Sequence, residues 1–169
     1  MHSNTGSGKT VETDINELCD QTLSMVSYSS ANLSPGCPVR TEKSFDAALP
    51  KIQVIQRDIA KVIINLLNNA FYEVNRRWRN EGSNYTPTVS ISTAFNKNNL
   101  QIDIVDNGLG VPSVAATKIF EPFFTTKPTG EGVGLGLSIS NDIIKAHGGS
   151  IFLEPNPELT VFRILIPLS

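Results

Sequence analysis

Between Arg57 and Asn80 the apolar residues Ile59, Val62, Ile63, Leu66, Leu67, Ala70, Phe71, Val74 and Trp78 recur three and four positions apart. That spacing covers one broad side of a helix about twice the usual length, and so wide an apolar stripe must be buried against other elements. The 169-residue chain can supply them. A single domain of this length removes roughly 70% of its unfolded surface from water. With 40% hydrophobic and 18% charged residues, the composition excludes both a disordered chain and a miniature scaffold held by staples.

The flanking patterns define what packs on that helix. Residues 1–13 are small and polar and read as a tail or linker, leaving 14–169 as one domain. Asp14 and Glu17 have capping-box spacing, and Ile15, Leu18, Cys19, Thr22 and Val26 continue as an amphipathic helix to about residue 30. Pro35, Gly36 and Pro38 end it, and residues 39–54 read as one or two short strands around Pro50. Val89, Ile91 and Thr93, then Leu100, Ile102 and Ile104, alternate with polar residues on either side of an Asn96–Asn99 turn, the signature of a hairpin. After a Gly- and Pro-containing segment, residues 135–146 return to helical spacing and stop at Gly148-Gly149. Residues 150–153 and 160–167 complete the chain as a strand pair. Hairpins mixed with helices predict a two-layer α/β sandwich, with a mixed, mostly antiparallel sheet packed on about three helices.

Charge and cysteine usage narrow the function. A formal net charge of −2 gives no electrostatic footprint for nucleic acid or an anionic membrane, so any phosphate site must be local. Cys19 and Cys37 stand apart from other metal-ligating residues, which points to a reducing compartment and no zinc. The chain has no apolar run of membrane length and no secretory signal. The expected location is cytoplasmic, with the full-length protein free to be membrane-anchored.

Three features carry chemistry. On the long helix Asp58, Lys61, Asn65, Asn68, Asn69, Tyr72 and Arg76 fall within about 100° of one another, opposite the apolar side. Asparagine is a poor helix former, so Asn65 and Asn69, one turn apart, either present amides to a cation and phosphates or decorate a solvated face. In the row Leu100, Ile102, Ile104 the next inward residue is Asp106, a carboxylate where an apolar side chain is due. It either accepts from a buried donor, such as a purine amino group, or bonds its own Asp-Asn-Gly turn. Gly130, Gly132, Gly134 and Gly136 open the helix of 135–146, where free N–H groups attract phosphate, unless the loop is merely mobile. The GSGKT at 6–10 lacks the earlier glycine of a P-loop and reads as coincidence. In FEPFFTTK, residues 120–127, the aromatic side chains either pin the loop or dock a partner, and Lys127 is either a phosphate ligand or one more exposed lysine.

Taken in order, NLLNNA at 65–70, DNGLG at 106–110, FEPFFTTK at 120–127 and GEGVGLGLS at 130–138 resemble the N, G1, F and G2 boxes of sensor histidine kinases. From about Asp14 to Pro167 the chain is similar to the catalytic ATP-binding domain of the GHKL superfamily, which implies the Bergerat α/β sandwich. The resemblance implies that Asn69 holds Mg²⁺, that Asn65 assists at the phosphates of ATP, and that Asp106 reads the adenine amino group. It implies that Gly108 and Gly110 shape the adenine pocket. Gly132, Val133, Gly134, Leu135, Gly136 and Leu137 then form the lid and helix start at the phosphates, with Lys127 nearby. Three positions depart from the family pattern. Tyr72 and Glu73 stand where many members carry a basic residue and then an aromatic one. Of a Gly-Thr pair before the last strand, Leu159-Thr160 keeps only Thr160.

Such kinases pass the γ-phosphoryl group to a histidine on a helical dimerisation region and from there to a response regulator receiver domain. The only histidines here are His2, in the tail, and His147, in the AHGG that ends a helix and therefore structural. The expectation is an excised catalytic fragment without its phosphoacceptor. ATPase relatives place a Glu one turn before the magnesium Asn; Asn65 occupies that position and takes no proton at neutral pH, which favours phosphoryl transfer over hydrolysis. The other readings are a GHKL ATPase, an anti-sigma-type serine kinase and a non-catalytic nucleotide sensor.

Overall fold

The computed structural model describes residues 8–112, 115–124 and 136–168. Its axis is the long helix expected from the apolar stripe, α2 (Gln56–Glu81), which ends at Gly82, where the backbone turns to a φ of +62°. A side chain would be strained in that conformation, so glycine is the natural stop. Helix α1 (Ile15–Leu33) starts at Asp14, whose carboxylate accepts from the Glu17 N–H at 3.0 Å, as the capping spacing predicts. Helix α3 (Gly136–Ala146) packs on the other flank of α2.

These helices cover one face of a five-stranded sheet in the order β2 (Arg40–Ser44), β4 (Thr88–Asn96), β5 (Asn99–Asp106), β7 (Thr160–Pro167), β6 (Ser150–Glu154). Among the described residues only the β2–β4 pair is parallel. The β4–β5 hairpin turns through Lys97 and Asn98, both at positive φ, and this two-residue loop sets the register Asn96↔Asn99. Because register fixes facing, Val89, Ile91, Leu100, Ile102 and Ile104 all point inward and meet Ile59, Ile63, Leu66 and Leu67 of α2 in one core. Burying each such side chain contributes roughly 1.5–3 kcal/mol.

One boundary differs from expectation. The assignment of residues 1–13 to a tail does not hold at its end: β1 (Val11–Thr13) pairs antiparallel with β3 (Ile52–Val54), and Thr13 is buried. A three-residue ladder held by backbone bonds leaves no periodicity in the sequence. The folded domain therefore includes at least Val11.

Candidate functional site

Helix α2 forms one wall of the site. Its polar stripe does not face bulk solvent: Asp58 is buried, Asn65, Asn69, Tyr72 and Arg76 are half-buried, and only Lys61 and Asn68 are exposed. The stripe is overlaid by α3 at one end and by the turn after β5 at the other, so the solvated-face explanation fails. The side-chain amide of Asn65 donates to the Ser140 Oγ at 3.3 Å. A Cβ on Gly136 would collide with the Asn65 amide, so glycine is what allows the first turn of α3 to approach α2 this closely. Leu137 is half-buried against the core, while Ser138 and Ser140 are buried. Sequence reasoning missed Ser140, although Ser140, Ile143, Ile144 and His147 share helical spacing and mark the buried side of α3.

At the other end of α2, Asp106 closes the inward row of β5 with 4% of its surface exposed. The turn reading of this carboxylate holds. Its Oδ1 accepts from the Gly108 N–H at 2.8 Å, as an Asp-Asn-Gly turn would have it, yet the group stays buried. Burial pushes its pKa up to about 7, the Gly108 N–H holds it down, and the Glu73 carboxylate raises it further. Gly108 lies directly on α2: an added Cβ would stand 2.7 Å from the Glu73 Cβ and 2.9 Å from Asp106 Oδ1. Thr160 pairs with Asp106 in the β5–β7 register, and Gly110, at a φ of +83°, lies beside the Thr160 hydroxyl. Asp106, Gly108, Gly110, Thr160 and Glu73 thus form one cluster, and Asn65, Gly136 and Ser140 another. From residue 65 to residue 73 the helix rises about 12 Å, with Asn69 and Tyr72 between the two.

In the aromatic loop Phe120 stacks edge-to-face on Phe162 at 6.2 Å, and Phe124 also packs on the core. Phe123 has a φ of +65° and is 72% exposed. Pinning therefore accounts for two of the three aromatic side chains. Lys127, Gly132, Val133, Gly134 and Leu135 lie outside the described residues. His147 is structural, as expected: the Ile55 N–H donates to its Nε2 at 3.1 Å, which leaves Nδ1–H to donate to the Ile143 carbonyl at 2.8 Å.

No cluster of His, Cys, Asp and Glu suited to a metal occurs among the described residues. A divalent ion would be met here by amide oxygens together with oxygens of its ligand. That donor set suits Mg²⁺, which keeps several waters and binds through few protein groups plus phosphates. The narrow approach at Gly108, the buried acceptor at Asp106 and the amides of Asn65 and Asn69 could together hold an elongated ligand with a hydrogen-bond donor near Glu73 and anionic groups near Asn65. No helix among the described residues is long and apolar enough to cross a membrane.

The profile of the histidine kinase-, DNA gyrase B-, and HSP90-like ATPase family matches residues 54–169. The chain is 33% identical over 138 residues to the sensory histidine kinase/phosphatase NtrB of Rhizobium leguminosarum bv. phaseoli, covering 78% of this chain and 36% of that protein. It is 30% identical over 162 residues to the signal transduction histidine-protein kinase AtoS of Escherichia coli K12, covering 94% of this chain and 24% of that one. The chain thus spans roughly a third or less of these relatives. The catalytic domain of histidine kinase ThkA superposes with a TM-score of 0.77 at 27% identity, over 95% of this chain and 96% of that one. Full-length ShkA in complex with AMPPNP matches in fold alone, with a TM-score of 0.78 at 21% identity, over 96% of this chain and 32% of that one. On the profile match, this chain belongs to the histidine kinase-, DNA gyrase B-, and HSP90-like ATPase family.

Proposed function

We propose that this chain is the ATP-binding catalytic domain of a two-component sensor histidine kinase, donating the γ-phosphoryl group of ATP to a histidine on a dimerisation region outside it. The observation that carries this reading is the buried Asp106 carboxylate at the end of an apolar strand row, beside a glycine pressed against α2. A desolvated acceptor in that position suits an adenine amino group and rejects a guanine carbonyl. Asn69 would hold Mg²⁺, which when bound neutralises charge on the phosphates. Asn65, held by Ser140, orients a phosphate through its amide and cannot deprotonate water, so the chain's contribution is positioning and charge, as transfer requires. Gly110 and Thr160 line the base pocket, and Tyr72 stands between base and phosphates. Lys127, Gly132, Val133, Gly134, Leu135, Gly136 and Leu137 would close on the phosphates. The partners implied are the dimerisation region and, downstream, a response regulator receiver domain, in a cytoplasmic setting without nucleic acid or membrane contact by this domain.

The test supplies the chain with Mg²⁺, γ-labelled ATP and the dimerisation region of the NtrB relative. Acid-labile label should appear on the added region and none on the chain itself. Free phosphate without labelled protein would instead indicate an ATPase, acid-stable label a serine kinase, and bound nucleotide with neither product a nucleotide sensor.

A further inference from the structure

Asn107, the middle residue of the Asp-Asn-Gly turn, has every polar group engaged. Its N–H donates to the Thr88 carbonyl at 3.3 Å and its side-chain amide to the Thr86 carbonyl at 2.8 Å. Its Oδ1 accepts from the Thr88 N–H at 2.8 Å and from the Tyr85 hydroxyl at 3.0 Å. Its carbonyl accepts from Arg77 Nη1 at 2.7 Å. The Arg77 guanidinium lies over the Tyr85 ring, 4.2 Å from its centroid, and its other nitrogens donate to Glu81 at 2.7 and 3.4 Å. Tyr85 itself is buried.

Arg77 follows Glu73 by one helical turn, so α2 meets the turn twice: at Glu73, on which Gly108 rests, and at Arg77, which grips the Asn107 carbonyl. Between these points the Asp106 backbone has the β5 ladder on one side and a fully bonded residue on the other. A loop that needed only an end to its strand would be served by the Asn107 bonds to Thr86 and Thr88. The Arg77–Tyr85 pair adds a charge-assisted bond, from a guanidinium steadied by the Tyr85 ring, to the Asn107–Gly108 peptide, whose N–H donates to the Asp106 carboxylate.

We propose that Arg77 and Tyr85 are positioning residues for base recognition: together they hold the Asn107 side chain and the Asn107–Gly108 peptide, whose N–H donates to Asp106 Oδ1, so that the Asp106 carboxylate is aimed at the exocyclic amine of the base, and they thereby set the preference for adenine over guanine. The proposal rests on the adenine role of Asp106 given above. It concerns specificity and not merely affinity, because a carboxylate free to swing by a few tenths of an ångström can still be near a base without discriminating an amine from a carbonyl.

The test is the ratio of affinities for a non-hydrolysable ATP analogue and the matching GTP analogue, measured at a temperature well below each variant's melting midpoint. Tyr85→Phe keeps the ring under Arg77 and removes one bond to Asn107; the ratio should fall about three-fold. Arg77→Ala should lower it about ten-fold, with Arg77→Lys between, since an ammonium cannot lie on the ring and reach both Glu81 and the Asn107 carbonyl. Equal loss of ATP and GTP affinity, or an unchanged ratio in folded Tyr85→Phe and Arg77→Lys, would make the pair a structural anchor only and overturn the proposal. Asp106→Asn serves as the reference. If it abolishes the preference while the Arg77 and Tyr85 variants keep it, only the positioning role falls. If the unsubstituted chain shows no adenine preference, or Asp106→Asn leaves the preference intact, the adenine reading falls and this proposal with it.

Discussion

Asp106→Asn weakens binding of an adenine nucleotide by about 10- to 100-fold, the loss expected for a hydrogen bond to a charged acceptor, and at the same time makes the unliganded domain more stable at pH 8. The two effects have one origin. The folded state raises the Asp106 pKa from 3.8 to about 7, chiefly by burial. A carboxyl raised in this way contributes its stability below pH 4, where folded and unfolded chains are both protonated, and loses it as pH rises through about 7. At pH 8 the folded protein carries a buried charge at a cost of up to about 4 kcal/mol. An Asn amide must also be desolvated, so the net gain is about 1–2 kcal/mol. Thermal melts at pH 5 and pH 8 measure it: the variant should gain at pH 8 and little at pH 5. Nucleotide affinity of the unsubstituted chain should rise between pH 6 and pH 8 as Asp106 ionises, and the Asn variant should show no such rise. A variant less stable than the parent at pH 8 would contradict the burial account of Asp106.

Asn69→Ala removes the magnesium dependence of nucleotide binding. In the unsubstituted chain Mg²⁺ should tighten binding by about ten-fold or more, equivalent to about 1.4 kcal/mol. The variant's affinity should be the same with Mg²⁺ and with chelator. Asn69 lies on the half-buried side of α2 outside the apolar core, so the substitution should cost the fold less than about 1 kcal/mol. Retained magnesium dependence in a folded variant would remove Asn69 from the metal.

Much of this architecture was legible because burial imposes periodicity. The α2 stripe, the alternating rows of β4 and β5 and the inward position of Asp106 were all readable from spacing, since each residue faces the same core. Strand β2 was harder to read. All five of its residues are exposed, and its parallel pairing with β4 leaves no alternation. Strand β1 is recorded only in backbone bonds to residues some forty positions away. The site divided in the same manner. Asn65, Asn69 and Asp106 stood out as polar residues that violated a local pattern, whereas Arg77, Tyr85 and Ser140 violate none: their roles exist only through Asn107 and Asn65, across contacts that spacing does not encode. Phe123 lay in between, an aromatic residue whose exposure follows from a left-handed backbone that the sequence does not announce.

Calorimetric titration of the purified chain with a non-hydrolysable ATP analogue, with and without Mg²⁺ and against the matching GTP analogue, asks whether α2, Asp106 and the start of α3 form a nucleotide site at all. One-to-one binding that strengthens with Mg²⁺ and prefers adenine is the predicted result. A folded chain that binds neither nucleotide, or binds both equally and without regard to Mg²⁺, would contradict it.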